Sequence, residues 1–139
     1  MKVLVDTSIW SLALRRTGVI PKENRPLVSE LMELIHEVRA VLIGPIRQEL
    51  LSGIQSKAQF NALKEHLEVF EDHLLAREDD ERAAEFHNTC RQSGIQGSPI
   101  DFLICSVAVG AGMPIFTADK DFLLYGKHLP IALYQPRGY

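Results

Sequence analysis

The sequence predicts an α/β fold, one domain over residues 1–139 with a mainly parallel central sheet flanked by helices. Three observations lead there. Short strand-like apolar runs alternate with segments of helical apolar spacing along the whole chain. No internal repeat, low-complexity tract or long linker interrupts that alternation. Four carboxylates, Asp6, Glu49, Asp101 and Asp119, each stand beside an apolar run, where a parallel strand would hand the chain to a helix.

Lys2 to Val5 is a short β-branched run, and Ile9, Leu12 and Ala13 give Ser8 to Arg16 a helical face. Gly18 to Pro26 has the Gly, Pro and Asn content of a loop, after which Leu27, Leu31, Leu34, Ile35 and Val38 mark a second helix. Val41 to Ile43 reads as a buried strand stopped by Gly44-Pro45, and Pro45 suits the first turn of the helix carrying Glu49, which Gly53 ends. Residues 56–70 and 80–92 are helical, joined by a charged segment around Glu78 to Glu81 that reads as a solvated face. Ser93 to Pro99 is a turn-rich linker into an apolar helix from Pro99 to Val109, broken at Gly110 to Gly112. Met113 to Thr117 is strand-like, Asp119 to Tyr125 a short helix, and Ile131 to Tyr134 a last strand.

With 139 residues, 46% hydrophobic and 24% charged, the chain is long enough to hold a core unaided. Cys90 and Cys105 lack CxxC spacing, so neither a disulfide framework nor a zinc site is signalled. The N-terminal apolar run is too short for a signal-peptide core, and nothing approaches a membrane span, so a cytoplasmic protein is expected. A net charge of −3 argues against a broad basic surface for non-specific nucleic-acid binding, although a metal held by several acids would offset part of that charge.

An acid beside a hydrophobic run is costly to desolvate unless a cation, a helix N-terminus or a hydrogen bond meets it. Singly, each acid has an ordinary explanation. Ser98 to Asp101 fits a capping box, Asp6 fits an N-cap, Glu49 a surface ion pair, and Asp119 and Asp121 the first turn of a short helix. Element order nevertheless sends all four principal acids to one sheet edge, and gathered carboxylates are hard oxygen ligands suited to Mg²⁺ or Mn²⁺. Such an ion can activate water and neutralise a phosphate. The five histidines show no paired ligand spacing, Cys105 reads as a small core residue, and no Gly-rich phosphate loop is present.

Val5-Asp6-Thr7-Ser8, Glu49-Leu50-Leu51-Ser52-Gly53, the run Asp101 to Ala108 (DFLICSVA) and the run Thr117 to Phe122 (TADKDF) together resemble a PIN-domain ribonuclease, most of all the VapC-type toxins of bacterial toxin-antitoxin pairs. The resemblance runs from about Val3 to Leu133 and implies a PIN-like fold. It implies an Mg²⁺- or Mn²⁺-dependent endoribonuclease that hydrolyses RNA phosphodiester bonds with metal-activated water and is held inactive by a VapB-type antitoxin. Asp6, Glu49, Asp101 and Asp119 fall on the family's acidic quartet, with Asp6 and Asp101 first for direct metal contact. Asp121 is then an auxiliary acid, and Ser8 and Thr117 orient carboxylates or water. A homodimer is compatible with the sequence. Arg15, Arg16, Arg47, Lys120 and Arg137 are candidate phosphate contacts, and Trp10 a candidate base platform, each against the alternative of surface charge or core. The competing function is a catalytically silent PIN-like module that binds RNA or protein. An acid-cluster phosphatase would want a second Asp two residues after Asp6, where Ser8 stands.

Overall fold

A computed structural model describes residues 1–15 and 18–138; Arg16 lies outside the described residues. Strand β1 (Val3–Val5) is the middle of a three-stranded parallel sheet, with β2 (Ala40–Val41) on one side and β3 (Ile115–Phe116) on the other. Val3 pairs with Ala40, and Leu4 with both Val41 and Ile115. Successive strand residues face opposite sides of a sheet, so the complete burial of Val3, Leu4 and Val5 means that both faces are covered.

The cover is helical: α1 (Thr7–Leu14), α2 (Arg25–His36) after a 3-10 turn at Lys22–Asn24, α3 (Gly44–Leu51), α4 (Lys57–Leu67), α5 (Arg77–Gln92), α6 (Pro99–Ala111) and α7 (Asp121–Tyr125). Trp10, Phe102, Phe116, Phe122 and Tyr125 supply the largest side chains of one continuous core. Among the described residues no helix is long and apolar enough to cross a membrane.

Two expectations change. The strand expected at Ile131 to Tyr134 is a single parallel bridge between Leu133 and Ile115. Ile115 donates to Ala132 O at 2.9 Å and accepts from Tyr134 N at 2.7 Å. Pro130 has no N–H to extend that ladder. The fifth helix begins at Arg77 rather than at residue 80, so Glu78, Asp79 and Asp80 form its first turn, where negative charge complements the helix dipole. Asp79 also accepts the Ala76 N–H at 2.9 Å.

Helix α6 is the apolar helix that the sequence implies. Ser98 caps it, Pro99 occupies its first turn, and Gly112 ends it in the left-handed region at φ 67°. Phe102 and every residue from Ile104 to Ala108 are buried. Ser106 faces α5: its hydroxyl donates to Asp79 O at 2.7 Å, and Arg82 donates to Ser106 O at 3.0 Å. The small residue at 106 thus serves a helix-to-helix contact.

A buried acid fastens the C-terminal segment. Glu30, 1% exposed, accepts from Tyr134 Oη at 2.8 Å, from the Arg137 backbone N–H at 2.8 Å and from its guanidinium at 3.1 Å. Arg137 also bonds both carboxylate oxygens of Glu37, at 3.0 and 3.1 Å. Burial works to raise the Glu30 carboxyl, but the bonds from Arg137 and Tyr134 outweigh it and hold the group below its usual 4.5. Arg137→Ala should therefore lower the stability of the fold at pH 7 in chemical denaturation, because it leaves the buried Glu30 carboxylate without its guanidinium partner. Glu30's contribution is present above pH 4.5 and fades as the pH falls through its lower folded value, so the difference between Arg137→Ala and wild type should shrink on acidification.

Candidate metal centre

The carboxyl end of β1 delivers Asp6 into the start of α1, where Asp6 is the N-cap and its Oδ2 meets the Ser8 N–H at 3.4 Å. The hydroxyls of Ser8 and Thr117 donate to that same oxygen at 2.7 and 2.8 Å. A hydroxyl has one proton, so each oxygen is left as an acceptor. Ser8 Oγ takes the Ala118 N–H at 2.9 Å, and Thr117 Oγ1 takes the Asp119 N–H at 2.9 Å. Asp119 Oδ1 then accepts the Asp121 N–H at 2.9 Å, a side-chain turn that opens α7. The exits of β1 and β3 are thereby joined through one carboxylate.

Asp101 enters from the first turn of α6. Half of the expected capping box is present: Ser98 Oγ accepts the Asp101 N–H at 3.1 Å. The Asp101 carboxylate instead accepts from Tyr125 Oη at 2.7 Å. Burial raises the Asp101 carboxyl above its usual range, the negative charges of Asp6 and Asp119 add to the rise, and hydrogen bonds from Tyr125 and Ser98 oppose it. Burial and the same bond raise the Tyr125 phenol, keeping it a donor. Cys105, one turn along α6, is fully buried with its thiol raised by burial and by the Asp101 charge, as befits a core residue rather than a nucleophile.

Asp101, Asp119 and Asp121 each offer an oxygen, all within 4.8 Å of one another. Asp6 joins them through Thr117 and through its charge on Asp101. Glu49 stands to the side on α3, held by Thr7 Oγ1 at 2.6 Å, and lines with Thr7 and Ile100 a cleft of about 450 Å³. A further cleft of about 530 Å³, between the end of α1 and α4, is lined by none of these acids.

The donors fit a hard divalent cation. In Asp6, Asp101, Asp119 and Glu49 one carboxylate oxygen is held by a protein donor, while the other accepts no hydrogen bond among the described residues. Among the described residues none of these acids, nor Asp121, is in an ion pair. Oriented carboxylates with an oxygen to spare, and no sulfur or imidazole among them, suit Mg²⁺ or Mn²⁺.

Two residues essential to this geometry carry no motif. Tyr125 is paired across 24 positions, and Gly97 makes room for it: a Cβ there would fall 2.5 Å from Tyr125 Oη and 2.9 Å from the Phe102 ring. Among the candidate nucleic-acid contacts, Arg47 is engaged with Asp72 and the carbonyls of Leu67 and Phe70, and Arg137 with Glu30 and Glu37. Trp10 is fully buried, its Nε1 donating to Val5 O at 3.0 Å, so it offers no base platform. Arg15 and Lys120 remain exposed beside clefts.

A raised carboxyl loses stability as pH climbs through and beyond its unfolded value, here 3.8. Asp101→Asn, which can keep the Tyr125 bond, should therefore raise the Tm of metal-free protein by a few degrees at pH 7, and the gain should vanish near pH 3 in calorimetry. Gly97→Ala should cost about 1–3 kcal/mol, because both atoms it meets belong to buried rings.

Comparison with known proteins agrees with this architecture. The FitAcB crystal structure from Neisseria gonorrhoeae superposes with a TM-score of 0.75 at 20% identity, over 99% of each chain. VapBC2 from Rickettsia felis, bound to a DNA fragment from its promoter, gives 0.71 at 18% identity, over 96% of this chain and 98% of that one. VapBC-1 from nontypeable Haemophilus influenzae gives 0.71 at 13% identity, over 99% of this chain and 100% of that one. At these identities the likeness is one of fold. No curated protein sequence matches the chain. The PIN domain model matches residues 3–127, and the chain belongs to the PIN domain family.

Proposed function

We propose that this chain is an Mg²⁺- or Mn²⁺-dependent endoribonuclease, the toxin of a VapBC-type pair that a VapB-type antitoxin restrains. PIN domains are nucleases, which gives the reaction class. The observation that carries the metal-dependent reading is the set of oriented acids, each with one oxygen fixed and one open, at the carboxyl ends of β1 and β3. The toxin assignment is supported by the resemblance of four ordered motifs to VapC-type toxins and by the fold shared with VapBC2 and VapBC-1. A cytoplasmic homodimer is part of the same proposal.

Asp6, Asp101 and Asp119 would hold the ion, with Asp121 as an exposed fourth acid. When bound, the ion would supply positive charge at the scissile phosphate and lower the cost of deprotonating water. The protein's own contribution is orientation. Ser8 and Thr117 fix one oxygen of Asp6, and Tyr125 fixes one of Asp101, so each carboxylate is already oriented and would keep its other oxygen for a cation. Glu49, held by Thr7 at the 450 Å³ cleft, would accept a proton from the attacking water or add a further oxygen to the ion.

Mg²⁺ or Mn²⁺ should raise the Tm of the wild-type protein, and Asp101→Asn should blunt that rise. Cleavage of total RNA should require the divalent ion and fall on the order of 10²-fold or more in Asp6→Asn and in Asp101→Asn. Thr117→Val should weaken ion binding by about 10–100-fold in titration calorimetry. Cleavage that survives both Asp replacements, with no heat of divalent-ion binding, would overturn the metal-centre reading. RNA or protein binding without metal-dependent cleavage would mark the silent binding module instead.

A further inference from the structure

We propose that the pocket bounded by His87, Arg91 and the loop Gly94 to Gly97 is an RNA subsite beside the acid centre, with Arg91 receiving the backbone phosphate of a nucleotide that flanks the scissile bond. The proposal rests on the nuclease reading above. The pocket, about 340 Å³, lies between the end of α5 and the start of α6. Its Gly97 wall packs so closely on Tyr125 Oη that a Cβ would sit 2.5 Å away, and the same hydroxyl donates to Asp101 at 2.7 Å. The backbone at Gly97 therefore stands between the pocket and the buried phenol that orients Asp101.

The lining has the chemistry of a nucleotide. Arg91 is exposed and in no ion pair among the described residues, whereas Arg39, Arg47, Arg82 and Arg137 are all paired. The amide N–H groups of Gln96 and Gly97 donate to no protein acceptor among the described residues, while those of Gly94 and Ile95 bond back to α5. A guanidinium with nearby open N–H donors matches a phosphate. The His87 ring lies stacked on Phe102, centroids 4.8 Å apart and planes 13° apart, and Phe102 rests at 5.1 Å on Tyr125. That backing steadies the imidazole of a pocket-lining residue, which would give a base something to stack on.

Electrostatics gives the pocket a purpose. The acids that would hold the ion repel the rest of an RNA strand, and the chain has a net charge of −3, so a local cation must draw the neighbouring phosphate. Arg91 at the C-terminal turn of α5 also complements the helix dipole, a role that affects stability and not the salt dependence of RNA binding.

The test is binding of a fluorescent single-stranded RNA of about ten nucleotides to the full chain in EDTA, followed by anisotropy over a range of KCl. Arg91→Gln should weaken binding about 5–10-fold and reduce the slope of log K against log salt by about 0.7, one single-strand phosphate. Arg91→Lys should retain the slope, His87→Ala should weaken binding about 5-fold or more with little change of slope, and Lys64→Gln on α4 should change neither. Wild-type affinity and slope in Arg91→Gln, or no RNA binding by wild type, would overturn the subsite. The two readings separate cleanly. Arg91-dependent binding by a chain that never cleaves RNA with Mg²⁺ sustains the subsite and sinks the nuclease, while Mg²⁺-dependent cleavage with an unchanged KM in Arg91→Gln does the reverse.

Discussion

The Asp6 carboxylate is the constraint on which the site depends. Its Oδ2 draws in the Ser8 and Thr117 hydroxyls, and those hydroxyls in turn hold the backbone of Ala118 and Asp119. One oxygen thus fixes the start of α1, the exit of β3 and the turn into α7. A parallel sheet brings the strand ends to the same edge but does not by itself fix the loops beyond them. Here a buried charge does so, and burying it is tolerable because three donors meet it.

Asp101 obeys the same logic from the other side. Ser98 starts α6 and would ordinarily engage the acid three residues on, yet the carboxylate turns to Tyr125 instead. Its partner is a fully buried phenol whose position requires glycine at 97. Local capping and long-range orientation are therefore divided between the backbone and the side chain of one residue, so helix start and ligand do not compete.

Much of this was legible in the sequence. The order of strands and helices follows from apolar periodicity, and the convergence of Asp6, Asp101 and Asp119 follows from that order. Asp121 stands closer to the centre than an auxiliary acid need be, because the Asp119 side chain turns the backbone at 121 inward. What escaped has a common physical cause: it depends on partners distant in sequence. Arg47 and Arg137 look like free surface cations until Asp72 and Glu30 are beside them. The acids at Glu78 to Asp80 look like a loop because their value lies in the dipole of the helix they begin. Tyr125 and Gly97 matter only once α6 and α7 have packed.

The chain's one tryptophan has a further consequence. Trp10 lies four residues past Asp6, fully buried, with its indole N–H on the last carbonyl of β1 and its ring edge against Phe70 at 5.0 Å. All tryptophan fluorescence therefore comes from one dry position directly behind the acid edge. Complete burial of the indole should give it the emission of an apolar environment and shield it from aqueous quenchers. A disturbance at the end of β1 alters the hydrogen bond of the emitting ring itself, so the protein contains its own optical gauge of the segment that presents Asp6.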